Sequence, residues 1–377
     1  MFSLIFAIST ALSLAPASAA IQIGAVYCKS GDQATHDDSS WKGAQLAVAE
    51  INKAGGIRGN KVDLIRMAPD STPADVKSSV AGALKNPGFI GLVGLSRSEL
   101  AFEAGYVAAK KGVPFVTSGA TSPKLSPRLG QGYFLACFGD NAQAATAAEW
   151  LSASMGVKTA AILFNPRSSQ ERSLRSYFIR AFRSAGGRIT ASVPFVPGKT
   201  LLVTPSILKA DAVFLAADSP VTALPVIRQL RSKGFPGPII GGRNLDVPYA
   251  WLGNPAADGV YFTTHAFPAI TRGSAPKDSW KTFTRNYKKT YRTNPDVFSA
   301  LGYDATTVLL DAIGRCETPS AKMTRAALAA GVDVNGLTGH IKLDKSGHVP
   351  EKPVALVNAS TPDKQTLQIL PSQVPKP

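Results

Sequence analysis

Cysteine is scarce in this chain of 377 residues, and its three cysteines form no recognisable pattern. Cys28, Cys137 and Cys316 lie far apart, and none belongs to a CxxC pair or to a Cys/His ligand spacing. The scarcity excludes a small scaffold held together by disulfides. One disulfide and three buried free thiols are both compatible with the sequence, which leaves the pairing of these cysteines open.

Motifs that would make the chain an enzyme are also missing. The four histidines are His36, His265, His340 and His348. They lack the HxxxH or HExxH spacing of a zinc site, and no GxSxG nucleophile motif occurs. No GxGxxG follows a predicted strand, and the segment 198–200 (GKT) lacks the first glycine of a phosphate loop. The sequence therefore predicts a protein that is not an enzyme and that needs no metal or cofactor.

Long apolar runs are absent after residue 20. Residues 1–20 carry no charge and end in Ala17-Ser18-Ala19, a small-residue pattern typical of signal peptidase sites. No Lys or Arg follows Met1, so a start further upstream or a retained anchor are the alternatives. We predict that residues 1–20 are a cleaved signal peptide and that the mature chain is periplasmic.

Acidic residues are in the minority, because 25 Asp and Glu stand against 41 Lys and Arg and give a formal net charge of +16. This balance admits anionic solutes, acidic proteins, nucleic acid and anionic membranes as partners. The segment 277–292 places basic side chains on one helical face and an aromatic stripe on the other. We interpret it as a core-packed helix with a solvated basic back, because an export signal gives a DNA-binding protein no substrate. No nucleic-acid partner is predicted.

Strand and helix patterns alternate at short intervals along most of the chain. The predicted strands are 21–27, 62–67, 89–93, 113–117, 159–164, 189–195, 212–216 and 238–240. The predicted helices are 41–52, 72–84, 98–110, 141–154, 171–185 and 221–233. This alternation is typical of βαβ units around a parallel sheet, and its restart near residue 141 indicates two α/β domains of similar design.

The last part of the chain follows a different pattern. After Tyr261 come three predicted helices, two strand-like runs and a tail rich in Pro and Lys. These are the helices 280–291, 296–315 and 324–330, the strands 338–343 and 353–358, and the tail 371–377. We predict that the tail is frayed, as chain termini often are.

Four stretches carry a family resemblance through nearly the whole mature chain. They are the opening IQIGAVYCKSG, the segment KGAQLAVAEINKAGGIRGNKV (42–62), the segment GVPFVTSGATSPKL (112–125) and the late helix LGYDATTVLLDAI (301–313). In this order and spacing the chain resembles the type I periplasmic solute-binding proteins, such as the Leu/Ile/Val-binding protein of ABC transporters. The resemblance implies an α/β fold of two doubly wound parallel-sheet lobes, joined by three crossover segments, that close on a small solute.

The resemblance also implies where the lobes divide. By alignment, the crossovers fall near 136–140, 262–266 and 338–341. The first lobe would then comprise 21–137 plus 264–338, and the second lobe 138–263 plus 339–377.

Candidate ligand-binding residues come from the same resemblance. In relatives that bind amino acids, a Ser, a Thr and backbone N–H groups hold the carboxylate, while a carbonyl and an acid hold the ammonium. Carried over, the pair is Ser98 in GLSRSEL and Thr121 in TSGAT, with backbone groups from Gly119 and Ala120. Helix N-termini suit an anion because they offer unpaired N–H donors and a positive dipole end. Plain helix capping is the alternative role for Ser98 and Thr121.

Departures from the family pattern concern the ammonium and the cleft wall. The family's acid falls at Arg243 in IIGGRNLD, which reverses the local charge and would attract a second carboxylate. The usual aromatic positions fall at His36 in the first βα loop, at Ser169, and at Asp218 or Ser219. Asp218 follows a predicted strand at the sheet edge where α/β proteins place ligand-facing groups, so it is a candidate replacement for the acid. A surface-loop role is the alternative for Arg243.

The resemblance implies a periplasmic receptor that delivers a small carboxylate-bearing solute to an ABC permease in the inner membrane. Branched-chain or other amino acids and organic acids are the expected solutes, and closure of the two lobes is the expected mechanism. A ligand-sensing module that reports to a membrane signalling partner is the alternative, because the same fold serves both roles.

Overall fold

The computed structural model describes residues 20–266, 278–343, 349–361 and 366–377. Its strands are β1 Ile21–Val26, β2 Val62–Met67, β3 Phe89–Gly94, β4 Phe115–Thr117, β5 Tyr133–Leu135, β6 Thr159–Phe164, β7 Arg188–Pro194, β8 Ala212–Ala216, β9 Ile239–Gly241, β10 Val260–His265, β11 Val332–Gly336, β12 Gly339–Leu343, β13 Val354–Asn358 and β14 Thr366–Ile369. Its α-helices are α1 Ala34–Lys53, α2 Pro73–Ala83, α3 Ser98–Lys110, α4 Leu125–Leu129, α5 Asp140–Glu149, α6 Ser169–Ser184, α7 Pro205–Leu208, α8 Pro220–Ser232, α9 Pro248–Trp251, α10 Asp278–Tyr291, α11 Val297–Gly314 and α12 Ala321–Ala329.

The first sheet has five parallel strands in the order β2-β1-β3-β4-β5. Side chains of β1 alternate between its faces, so Ile23 and Ala25 join the core under α1 and α11, while Val26 joins the core under α2 and α3. This period of two is the expected geometry of a strand that is buried on both faces. Helices cover both faces, which makes the sheet doubly wound.

The second sheet has seven strands in the order β14-β13-β10-β9-β8-β6-β7. The neighbouring strands β7, β6, β8, β9 and β10 run parallel, and β13 and β14 extend the sheet as antiparallel strands. In β6, Ile162 packs with α5 and α6, whereas Leu163 packs with α7 and α8. The molecule is therefore built from two α/β lobes, as the resemblance implied.

Two glycines explain how the motif stretches around residues 43 and 302 pack. A Cβ on Gly43 would lie 1.8 Å from the Ser299 carbonyl oxygen, and a Cβ on Gly302 would lie 2.0 Å from the Ser40 carbonyl oxygen. Helices α1 and α11 therefore touch backbone to backbone at this crossing. Only glycine permits an approach this close.

Contacts at the predicted crossovers join distant parts of the chain. The ring of Phe138 stacks on the ring of His265 with centroids 3.8 Å apart. Lys352 is fully buried, and its Nζ donates to the Ala136 carbonyl at 2.9 Å and lies 3.7 Å from a carboxylate oxygen of Asp304. We call Lys352 and Asp304 the crossover ion pair. Burial lowers the pKa of Lys352, and Asp304 opposes that shift.

Helix α1 begins seven residues before the predicted start at Trp41, so His36 lies in a helix and not in the first βα loop. The segment 34–40 lacks apolar periodicity, and polar contacts hold it instead. The buried Asp37 accepts a hydrogen bond from the Cys28 N–H at 2.9 Å, and Ser40 donates to the Phe298 carbonyl at 3.0 Å.

The predicted fraying of the tail 371–377 is wrong. The Glu149 carboxylate accepts hydrogen bonds from Ser372 and Gln373, and Arg180 donates to the Lys376 carbonyl at 2.7 Å. Composition alone suggested a free end, because it does not reveal these partners on α5 and α6.

Four strands were not predicted from the sequence, namely β5, β10, β11 and β14. β10 runs through the predicted lobe boundary at 263/264, and the hairpin of β11 and β12 runs through the one at 338/339. Ile341 and Leu343 of β12 pack in the core beside the five-stranded sheet.

All three cysteines are buried and free. Among the described residues, no helix is long and apolar enough to cross a membrane.

Candidate functional site

A cleft of about 880 Å³ lies at the carboxyl ends of the parallel strands of both sheets. One wall comes from the segments that follow β1, β3 and β4, and the opposite wall from those that follow β6, β8 and β9. Strand ends of this kind are where open α/β sheets bind ligands, because the loops and helix N-termini there converge.

The first wall is built around the start of α3. Ser96, Arg97 and Ser98 line the cleft, and no side chain caps the N-terminus of this helix. The Ser98 hydroxyl oxygen accepts a hydrogen bond from the Ser122 N–H at 3.3 Å, a bond that does not use the hydroxyl hydrogen. Ser96 is 3% exposed, and its hydroxyl has no hydrogen-bond partner among the described residues. Uncommitted donors therefore gather at this helix end.

The opposite wall carries two capped helix starts. Ser168 accepts from the Glu171 N–H at the start of α6, and Ser219 accepts from the Thr222 N–H at the start of α8. The Ser168 hydroxyl also donates to Asp218 at 3.2 Å. Ser219 therefore has a capping role in this structure, and Asp218 is held at the end of β8.

Arg243 connects the two walls. It begins a short 3-10 turn after β9, and its Nη2 donates to the Gly119 carbonyl at 2.9 Å and to the Ser96 carbonyl at 3.2 Å. Its backbone N–H donates to the side chain of Gln143, which in turn donates to Asp140 at 2.7 Å. Burial lowers the pKa of Arg243. The residue is thus a half-buried cation that spans the cleft, and not a surface-loop arginine.

Other contacts also cross the cleft. The Ser169 hydroxyl donates to the Glu99 carboxylate at 3.4 Å, and the Lys124 ammonium lies 5.7 Å from the centre of the Tyr177 ring. These contacts and those of Arg243 hold the two walls against each other.

The carboxyl groups at the cleft have shifted pKa values. Burial raises the pKa of Asp246 to about 6, although a hydrogen bond from Thr264 and the charge of Arg243 oppose the rise. Burial also raises the pKa of Asp140, against the opposing effects of Thr121 and Arg243. The pKa of Glu171 rises to about 8, first through burial and then through the nearby Asp218 charge.

His36 lies on the first wall, where its ring stacks on Phe298 with centroids 4.0 Å apart. Burial lowers the pKa of His36, and the positive charge of Arg243 lowers it further. The ring therefore presents a neutral, flat surface to the cleft at neutral pH.

Six of the nine predicted site residues line this cleft, namely His36, Ser98, Ser169, Asp218, Ser219 and Arg243. Gly119, Ala120 and Thr121 are buried behind the lining, where the Gly119 carbonyl meets Arg243 and the Thr121 carbonyl accepts from the Asp140 N–H. Their roles toward a ligand stay predictions.

Sequence reasoning missed Ser96, Ser168 and Asp246, which also line the cleft. Ser96 lies two residues before the predicted helix start at 98, and Ser168 lies three residues before the predicted helix start at 171. A search of all strand ends for hydroxyl side chains would have found both.

Comparisons with known proteins identify the family to which this architecture belongs. The model of the periplasmic binding protein family matches residues 20–365. The chain is similar to the Leu/Ile/Val-binding protein BraC3 of Rhizobium johnstonii, at 32% identity over 258 residues, which is 67% of this chain and 70% of the relative.

Among solved structures, the chain is similar to the branched-chain amino acid transporter substrate binding protein LivJ of Streptococcus pneumoniae in complex with isoleucine. The TM-score is 0.74 at 24% identity, covering 93% of this chain and 100% of that one. It is also similar to an ABC transporter solute binding protein of R. palustris in complex with benzoate, with a TM-score of 0.72 at 19% identity, covering 95% of this chain and 98% of that one. At these identities the likeness concerns the fold.

Proposed function

The chain belongs to the periplasmic binding protein family, in its Leu/Ile/Val-binding branch, and from this premise we propose that it captures a small carboxylate-bearing solute for an ABC permease. The cleft between the sheets is the binding site in this proposal. The observation that carries it is that an uncapped α3 N-terminus and the cationic Arg243 line the same cleft.

Size and chemistry both support a small solute. Sites for small molecules measure on the order of 300–1,000 Å³, and this cleft falls within that range at about 880 Å³. A carboxylate at the first wall would accept from the Ser98 hydroxyl and from the free N–H groups at the start of α3, where the helix dipole favours negative charge. Thr121 is the predicted second hydroxyl of this subsite.

Closure of the lobes is the proposed mechanism. A solute docked at Ser98 and contacted by Arg243 and Asp218 from the opposite wall favours the closed arrangement, because only that arrangement offers both sets of contacts. We propose lobes of 21–137 plus 264–338 and 138–263 plus 339–377, with the strand 339–343 packing beside the first lobe. The permease would recognise the closed form.

A ligand screen by thermal shift tests the proposal. Ligand-stripped protein would be heated with amino acids, dicarboxylates, aromatic acids and short peptides. Ligand at about a hundred times its dissociation constant adds roughly 2.7 kcal/mol of stability, so a true ligand gives a clear shift. Failure of every carboxylate, with stabilisation by a solute of another class, would refute the proposed ligand.

Two further measurements test the site and the motion. Ser98→Ala should weaken binding of a carboxylate ligand by about 1–3 kcal/mol, the usual cost of a lost hydrogen bond to a charged group. Small-angle scattering should show a smaller radius of gyration with ligand than without it. An unchanged radius at saturation would contradict closure.

Export is part of the proposal, with residues 1–20 as signal peptide and the periplasm as destination. Fractionation of cells that express the full chain, followed by N-terminal sequencing of the product, tests it. Cytoplasmic protein that retains Met1 would contradict it.

A further inference from the structure

Arg243 is a half-buried cation without an ionised partner at contact distance. Its guanidinium is held by two backbone carbonyls, those of Gly119 and Ser96, and no ion pair involves it among the described residues. Its Nε has no hydrogen-bond partner there either. A charge that is partly removed from water is stabilised by a counter-ion, so the surroundings of this guanidinium favour an anion.

Two acids line the cleft near Arg243, and each already has a hydrogen-bond partner. The buried Asp140 accepts from the amide of Gln143, and the half-buried Asp246 accepts from the hydroxyl of Thr264. Neither carboxylate forms an ion pair with the Arg243 guanidinium among the described residues.

The backbone acceptors of the first wall are already occupied. The carbonyls of Ser96 and Gly119 both accept from Arg243. Donors without a partner remain beside them, namely the Ser96 hydroxyl, the uncapped start of α3 and the Arg243 Nε. At this wall a carboxylate therefore finds donors, whereas an adjacent ammonium finds the backbone acceptors taken.

Asp218 is a further acid on the opposite wall, besides Asp246. It follows the end of β8, one strand away from β9 and Arg243, and it accepts from Ser168. It can serve a hydroxyl or amine at the far end of a ligand.

We propose that Arg243 makes this receptor selective for carboxylates without an amine on the α-carbon, because its guanidinium occupies the carbonyl acceptors and adds positive charge beside the carboxylate. This inference rests on the proposed function and names its substrate class. The selectivity determinant is the guanidinium itself, at the end of β9.

Matched ligand pairs test the inference on the unaltered protein. Isothermal titration would compare 4-methylpentanoate with leucine and 3-phenylpropanoate with phenylalanine, pairs that differ only in the amine, with benzoate as a further amine-free acid. We expect the amine-free member to bind at least tenfold tighter, which is about 1.4 kcal/mol. Equal or tighter binding of the amino acids would overturn this inference and leave the proposed function standing. Absence of binding by every carboxylate would overturn both.

Variants assign the selectivity to one side chain. Arg243→Gln should lower the preference for the amine-free acid at least tenfold, whereas Arg243→Lys should retain most of it because the charge remains. Arg231→Gln is the matched control, since Arg231 also donates to backbone carbonyls, those of Phe235, Gly237 and Asp258, outside the cleft. A folded Arg243→Gln protein with unchanged preference would overturn the role of Arg243. If that variant fails to fold, the Lys variant and the ligand pairs still decide the question.

Discussion

Removing one member of the crossover ion pair should strongly destabilise the protein, and Asp304→Asn is the change that tests this. The Asp304 side chain is 0% exposed and accepts from the Leu337 N–H at 2.6 Å, the Thr338 N–H at 2.9 Å and the Thr338 hydroxyl at 2.5 Å, with Lys352 Nζ at 3.7 Å. An Asn side chain has one oxygen, so at least one buried N–H would face an amide nitrogen. Lys352 would also lose its counter-charge.

The expected cost follows from these contacts. Removing one member of a buried, hydrogen-bonded pair costs about 3–5 kcal/mol, because an uncompensated charge stays behind. Lys352→Met should cost less, about 1–3 kcal/mol, since Asp304 keeps its three donors and the groups that lose a donor are the Ala136 carbonyl and the Thr338 hydroxyl oxygen. The double variant should cost clearly less than the sum of the two single variants, because the second change removes the orphaned charge.

Urea unfolding of ligand-free protein, followed by circular dichroism and by tryptophan fluorescence, measures these differences. If both probes give the same transition, and if the dependence on urea concentration is equal in all variants, the free energies of unfolding can be compared directly. A cost below about 1 kcal/mol for Asp304→Asn, or strict additivity in the double variant, would refute this account of the buried pair.

Three other predictions concern packing, pH and the tail. Gly302→Ala should destabilise the protein by about 1–3 kcal/mol or more, because the added Cβ would overlap with the Ser40 carbonyl. The control Gly82→Ala has open space around it in α2 and should be neutral or stabilising. Urea unfolding measures both. The pKa of Glu171 is raised to about 8 in the folded protein, so the folded state binds more protons than the unfolded state. The free energy of unfolding should therefore fall as the pH rises from about 6 to 8. Glu171→Gln should flatten this pH dependence, and an unchanged slope would contradict the prediction. Glu149→Ala should release the tail and speed its removal by carboxypeptidase, and equal rates in variant and wild type would show that Glu149 does not hold it.

The alternation of strands and helices was predictable because it depends on local burial. A strand such as β6 is buried on both faces, so its sequence is a continuous apolar run, and the helices between strands need an apolar face every three to four residues. The same reasoning found the two doubly wound lobes. It failed at β5 and β10, which are too short or too polar for a periodic signal, and at the first turns of α1, where polar contacts replace apolar ones.

The candidate site was predictable only in part. The family resemblance pointed to Ser98, Asp218 and Arg243, all of which line the cleft, and the reversed charge at Arg243 was visible in the sequence. Its partners were not, because the carbonyls of Gly119 and Ser96 lie 124 and 147 residues away along the chain. Which acceptors the Arg243 guanidinium meets, and which acids lie near it, is decided by distance in the folded chain. The sequence therefore determined the kinds of chemical groups available, and only the packing of the two lobes decided which of them face one another.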